Sequence, residues 1–147
     1  MTYQLTPAKA AAKITEISLS SNTAFSSGAT VTLNSITHSH PSTSRVSLSS
    51  NVVTLTAGNY IIYGSVAIDK NTTDDTYTMS FYDNATSTEL TIADGWMGAS
   101  TCDVNNSGSL LMQAHLELSS SVSFYVVSTG ATGALMADGV YLIIMEL

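Results

Sequence analysis

Asn51 to Asp69 reads NVVTLTAGNYIIYGSVAID. A short β run carrying Val52, Val53 and Leu55 enters a tight turn at Ala57-Gly58-Asn59, and a long strand leaves it. Gly58 supplies the positive φ such a turn needs, and Asn59 tolerates the left-handed region better than most residues. From Tyr60 the period is two: Tyr60, Ile62, Val66 and Ile68 share one face with Gly64 in register, while Ile61, Tyr63 and Ala67 make the other face apolar as well. A strand that is apolar on both faces is central in a sheet covered on both sides. The chain has almost no helix-forming pattern to provide that cover. The stretch therefore predicts a second sheet against one face and another subunit against the other.

The surrounding composition fits an all-β domain. The chain has 147 residues, enough for one domain with one core. Only 10% of residues are charged and 44% are hydrophobic, with abundant Ser and Thr, which suits strands whose solvent faces carry hydroxyls. The single cysteine, Cys102, cannot form an intrachain disulfide. The net charge is -7, and its distribution is uneven: Lys9, Lys13, Arg45 and Lys70 all precede the last 77 positions, in which nine acidic residues occur from Asp74 to Glu146 (147 − 70 = 77). Such a surface repels phosphate backbones and acidic membranes, which argues against nucleic acid and membrane as partners. The N-terminus MTYQLTPAKAAAKI lacks the apolar core of a signal peptide, and no run is long enough for a membrane-spanning helix.

Along the chain, residues 1–12 read as an N-terminal arm and 13–147 as the folded domain. Ile14, Ile17 and Leu19 begin the core. Phe25 is the one buried candidate in a polar loop over 20–30, and Val31, Leu33 and Ile36 suggest a short strand. Val46 and Leu48 alternate with Ser in a half-exposed strand. Tyr77, Met79 and Phe81 alternate with polar residues in another, and Leu90 and Ile92 mark a further short one. A long loop at 95–108 carries the only Trp. Two alternating strands follow, joined as a hairpin across Ser119 to Ser121, and a Gly-rich loop from Thr129 to Gly139 leads to a last strand, Val140 to Leu147. About eight to ten strands with frequent turns predict a two-sheet antiparallel jelly-roll sandwich.

At three places the sequence resembles the C1q/TNF-like jelly-roll family. Thr54-Leu55-Thr56-Ala57-Gly58-Asn59-Tyr60 looks like the family's L-x-x-G-x-Y entry to its central strand. The 109–127 pair of strands and the terminal LIIMEL are the other two. The resemblance covers roughly residues 11–147 in order of elements, and Gly-x-Tyr is its only sharp motif. Unlike animal C1q members, the chain lacks a signal peptide, a collagen repeat and most of their aromatic residues. It looks more like phage virion proteins of the same fold, which are small, Ser/Thr-rich, cysteine-poor trimers. The resemblance implies a homotrimer with one sheet inside it, and it implies an interface at Ile61 and Tyr63 of the central strand and Tyr141, Ile143 and Met145 of the last. Val122–Val127 is also apolar on both faces, through Tyr125 and Val127, and the family pattern leaves that unexplained.

Candidate chemistry is thin. His38 and His40 are spaced to share one side of a strand. A cupin-type metal site also needs a nearby Glu, and Pro41 to Arg45 contains none. Asp69, Asp74 and Asp75 lack the spacing of a Ca²⁺ loop. No Gly-x-Ser-x-Gly occurs, and Cys102 has no His near it in sequence. The sequence therefore predicts no catalytic residues, no metal and no cofactor, and a protein that is not an enzyme. Trp96 and Met97 in the long loop are candidates for a partner contact at one end of the sandwich. Pro7, Lys9 and Lys13 make the arm a candidate for capsid contact. The functional expectation is a trimeric decoration, cement or head-fibre protein on a phage capsid, made in the host cytoplasm and placed on the virion exterior, with the major capsid protein or another virion protein as partner. The alternative is a C1q-like or lectin-like module that recognises a host glycan or protein.

Overall fold

The computed structural model describes residues 13–39, 45–70, 75–90, 97–98, 102–104, 107–130 and 133–147. At 70, 75–77, 97–98, 102–104 and 107–108 it describes the backbone alone. The arm at 1–12, with Pro7 and Lys9, lies outside the described residues, as do His40, Asp74 and Trp96. The strands are β1 (Lys13–Ser18), β2 (Thr23–Phe25), β3 (Ser35–Ser39), β4 (Val46–Ser49), β5 (Val52–Leu55), β6 (Gly58–Lys70) and β7 (Asp75–Asp83). They continue with β8 (Met97–Gly98), β9 (Cys102–Val104), β10 (Ser107–Leu118), β11 (Val122–Thr129), β12 (Gly133–Leu135) and β13 (Tyr141–Glu146). A 3-10 turn, Ala137–Gly139, is the one helical element among the described residues.

The strands form two sheets. The larger has eight strands in the order β2-β12-β6-β13-β1-β3, with β10 on the other edge of β6 and β8 beyond it. The smaller has five, in the order β4-β5-β11-β7-β9. Every pairing is antiparallel. The long strand β6 is central, as its two apolar faces predict: β10 runs along one edge from Gly58 to Asp69, and β13 and then β12 share the other.

The core lies between the sheets. Tyr60, Ile62, Val66 and Ile68 of β6 are buried in it with alternate residues of β10 (Leu110 to Leu118) and with Leu142 and Ile144 of β13. The small sheet contributes Val53, Leu55, Met79, Phe81, Phe124 and Val126. Phe81 and Phe124 meet edge to face with centroids 5.2 Å apart, a favoured aromatic geometry. At Gly64 a Cβ would lie 2.5 Å from Leu142 Cδ2, so glycine lets this side chain cross the middle of β6.

Several expectations change. The 109–127 strands do not pair with each other: β10 pairs with β6 in the large sheet and β11 with β5 and β7 in the small one, so Ser119 to Ser121 crosses between sheets. The inward alternation of both strands is preserved across that crossing. The turn after β5 is a second crossing, because β5 and β6 belong to different sheets. Asn59 lies within β6, and the non-glycine residues with positive φ are Ser50 (49°), Asn51 (68°) and Ser87 (55°) among the described residues. Ser50 and Asn51 close a two-residue β4–β5 hairpin, Ser49 opposite Val52, with the positive φ at both positions that type I′ turns require. The loop at 95–108 contains β8, β9 and the start of β10, and the Gly-rich loop contains β12. Residues 20–30 contain β2, and Phe25 is buried as expected. Leu90 is buried beside β7, bonded through its N–H to Phe81 O, without a strand of its own; Ile92 lies outside the described residues. Ile14 is not core: Thr15 and Ile17 point inward and Ile14 outward, 38% exposed. Ile36, in β3 at the sheet edge, is 43% exposed.

Candidate functional site

The outward face of the large sheet is built by register. Ile143 stands opposite Tyr63, which stands opposite Gln113; the same row continues through Glu16 to His38. The next row runs Ile14, Met145, Ile61 and His115. A third runs Ser18, Tyr141, Ser65 and Leu111. The five residues implied by the family resemblance, Ile61, Tyr63, Tyr141, Ile143 and Met145, thus form one contiguous block on adjacent strands. Tyr63 is 41% exposed and the other four are half-buried. Ile14 and Leu111 enlarge the block, and Leu111, at 67%, is its most exposed member. Leu111 escapes a reading by alternation because its neighbours on that face of β10 are Gln113, His115 and Glu117. Contiguous exposed apolar surface of this kind marks an interaction face.

The charged residues cluster elsewhere. Glu146 is the inward residue at the end of β13, its side chain 10% exposed. Its Oε1 lies 3.2 Å from Arg45 Nη1 and 3.8 Å from Lys13 Nζ, and its buried Oε2 has no hydrogen-bond partner among the described residues. Arg45 enters β4, so this ion pair ties one sheet to the other. Arg45 Nη1 also donates to Ala57 O (3.3 Å), and the Tyr60 hydroxyl donates to Thr56 O (3.0 Å). A Cβ at Gly58 would lie 3.1 Å from Arg45 Nη1 and 3.2 Å from Tyr60 Oη. The L-x-x-G-x-Y motif is therefore a corner in which the glycine leaves room for two side chains that clasp the Thr56–Ala57 link. Lys13 sits in β1 rather than on the arm, and its ammonium is turned to Glu146.

The outward face of the small sheet is different. Thr54 and Ser123 share a hydroxyl hydrogen bond of 2.7 Å, and Thr78 and Thr129 share another of 2.7 Å. Between these pairs, Tyr125 opposes Tyr82, with ring centroids 5.9 Å apart and planes tilted by 31°. This accounts for Tyr125. Val127 is 9% exposed where residues 28–31 run beside β11, with Gly28 N donating to Ser128 O and Val31 N to Val126 O. Where β7 ends and β11 begins, a groove of about 260 Å³ is lined by Asp83, Asn84, Ala85, Ser121, Val122 and Ser123.

The other sequence candidates are not brought together. His38 lies opposite Glu16 at the sheet edge. Asp69 is the penultimate residue of β6, opposite Ser107 and Ala134, and Asp75 and Cys102 are described as backbone only. Met97 pairs with Ala114 in β8. Among the described residues no group of three or more His, Cys, Asp or Glu is placed to hold a metal ion.

With this geometry in hand, comparison with solved structures finds the same architecture. A crystal structure of murine APRIL superposes with a TM-score of 0.65 at 14% identity, covering 92% of this chain and 99% of that one. The structure of Eiger TNF from S. frugiperda gives 0.58 at 15% identity, with 92% of each chain covered. The globular domain of zebrafish complement 1qA protein gives 0.58 at 9% identity over 92% of this chain and 95% of that one. The fold is the C1q/TNF-like jelly roll. No protein-family model matches the sequence, and no curated protein matches it by sequence. The likeness thus lies in the order and pairing of strands and not in side chains. On this jelly roll the apolar block covers the outward side of β13 and β6, the two strands that are apolar on both faces. It offers a surface for association, while the small sheet offers hydroxyls and one aromatic pair.

Proposed function

We propose that the chain assembles as a homotrimer through the outward face of its large sheet and serves as a structural protein on the exterior of a phage virion, decorating or cementing the capsid or forming part of a head fibre. It works by binding and not by catalysis. The observation that carries the assembly is the contiguous block of Ile61, Tyr63, Tyr141, Ile143 and Met145, enlarged by Ile14 and Leu111. Fully burying an exposed aliphatic or aromatic side chain of this size is worth about 1.5–3 kcal/mol; these residues start half-buried and gain part of that, and the sum over three copies must outweigh the mutual repulsion of subunits with net charge -7 each. The jelly-roll likeness supports three copies as the closed arrangement. The virion role is supported by the composition: a cysteine-poor, Ser/Thr-rich domain that needs no disulfide. The arm bearing Pro7 and Lys9 would anchor it to the capsid protein. Co-sedimentation with capsids tests this role directly. The full chain should pellet with capsids, and a chain lacking residues 2–12 should remain trimeric but stay in the supernatant; failure of the full chain to pellet would refute the capsid role.

A second reading is a recognition module of C1q-like or lectin-like character directed at a host glycan or protein. The aromatic pair and groove on the small sheet favour it. Binding to cells without capsids, and no effect on capsid stability, is the result that would select it.

A further inference from the structure

We infer that the seam between neighbouring copies is proton-linked: His38 and His115, at opposite edges of the outward face of the large sheet, are the groups whose protonation tightens it. This rests on the homotrimer reading above and adds its regulation.

The register fixes which side chains border the apolar block. On one side, β1 and β3 place Glu16 opposite His38. On the other, β10 presents Gln113, His115 and Glu117, opposite Tyr63, Ile61 and Asn59 of β6. Asp69 stands on the same face near the end of β6. His38, His115, Asp69 and Glu117 are exposed, and Glu16 is half-buried. Among the described side chains, this face therefore carries the carboxylates of Glu16, Asp69 and Glu117 and no lysine or arginine. Lys13 and Arg45 are turned to Glu146, an inward residue. The phenols of Tyr63 and Tyr141 stay neutral near pH 7. Histidine is the side chain that becomes a cation between about pH 8 and about pH 5.

The surroundings of the two histidines differ. His38 faces Glu16, and β3 is the outermost strand on its side. His115 lies opposite uncharged Ile61, with Gln113 and Glu117 beside it on β10; β8, beyond, holds Met97 and Gly98, neither of which titrates. Among the described residues, neither histidine is ion-paired within one copy. They are four strand spacings apart in the order β3-β1-β13-β6-β10, roughly 19 Å, too far to share a partner in one copy. Closing three copies around an axis is a heterologous contact, in which different parts of the same face meet. It sets the β10 edge of one copy against the β1–β3 edge of the next. Each seam then holds His115 and Glu117 from one side and Glu16 and His38 from the other. With both histidines protonated, two imidazolium groups balance two carboxylates across it. With both neutral, the carboxylates are brought together uncompensated, in subunits that already carry net charge -7 each. A histidine that gains a carboxylate neighbour on association takes up protons as the copies assemble. The trimer therefore tightens as pH falls through the histidine range and loosens as pH rises through it. The gain ends near about pH 4, where carboxylates lose their charge.

The test uses the full chain. Sedimentation equilibrium at constant ionic strength follows the trimer from about pH 8 to about pH 5.5. Where dilution does not part the trimer, the rate of subunit exchange between fluorescently labelled copies is read instead. The expected result is a dissociation constant that falls roughly tenfold or more over this range, with protons taken up on assembly, as read by calorimetry in buffers of different ionisation heat. His38→Gln combined with His115→Gln should abolish most of that change, and His115→Lys should keep the trimer tight at about pH 8. Both positions are exposed, so these variants should melt as the parent does; proton uptake by the parent keeps the test decisive if one fails to fold. Acid also lowers the overall negative charge, so a pH dependence undiminished in the double variant would assign the effect to net charge and overturn the inference. A parent trimer equally tight at both pH values, or one that assembles without proton uptake, would overturn it too. These results leave the homotrimer reading intact. A chain that stays monomeric at every pH would refute that reading and the inference with it.

Discussion

On the large sheet the outward partners are Tyr63 opposite Ile143 and Ile61 opposite Met145; on the small sheet they are Thr54 opposite Ser123 and Tyr125 opposite Tyr82. Both faces are built by the same alternation, and both lie behind strands whose other side is core. The difference is in what water meets. Hydroxyl pairs that bond to each other leave a face comfortable in solvent, whereas isoleucine, tyrosine and leucine beside one another leave one that gains by being covered. In a two-sheet protein, the sheet whose outward rows are apolar is therefore the one to suspect of facing another copy. The inward rows of the two sheets, being equally buried, carry no such information.

That contrast can be broken most severely on the large sheet. Tyr63→Asp together with Ile143→Asp places carboxylates at directly opposed positions of the seam. A charge in a dry interface is costly, so sedimentation equilibrium should show a trimeric parent and a monomeric or aggregated variant; a monodisperse monomeric parent would defeat the proposed trimer itself. The next largest effect is inside the sandwich. Gly64→Ala drives a Cβ against Leu142 and should cost about 1–3 kcal/mol in chemical denaturation. It should lower fold stability and assembly together, whereas the outward substitutions act on assembly first. Arg45→Ala tests the tie between the sheets. Among the described residues it leaves the largely buried Glu146 carboxylate with Lys13 alone, at 3.8 Å, and a loss of about 1–3 kcal/mol is expected. No measurable change would mean that Lys13 suffices. The smallest effect belongs to the hydroxyl face. Thr54→Val removes the 2.7 Å bond to Ser123, and denaturation should shift by about 0.5–1.5 kcal/mol at most with the oligomeric state unchanged. A change of assembly on that substitution would erase the distinction between the two faces.

Much of this contrast is legible in the residues. The period of two in β6 identifies the core side, and a second apolar side there and in β13 identifies five residues of the outward apolar block. Ile14 is misassigned because Thr15, not Ile14, takes the inward position beside Ile17. Alternation tells which residues share a side, and a polar residue can hold the buried one. Leu111 is hidden among polar neighbours for the converse reason. The crossing at Ser119 to Ser121 reads as a hairpin because a short polar link serves either purpose. What separates the two is whether β10 prefers β6 to β11, a choice made by partners distant in sequence. The same distance conceals the aromatic pair, since Tyr82 and Tyr125 meet only through strand pairing. The β4–β5 turn is missed for a local reason: Ser-Asn adopts its two positive-φ positions without the glycine that usually announces them.

The place of β13 bears on how the chain comes to be folded. It is the last of the described strands in chain order, yet it lies between β6 and β1, the first of them. At roughly 5–20 residues per second of synthesis, β1 must wait seconds on the ribosome before its neighbour exists. During that interval the edge of β6 from Tyr60 to Ser65 and the facing edge of β1 expose unpaired backbone groups, the kind of edge that recruits other chains. Closing the large sheet thus waits for β13 and rests on pairings distant in sequence, which form slowly. When many copies are made at once, nascent chains compete for one another's open edges before β13 arrives to fill them.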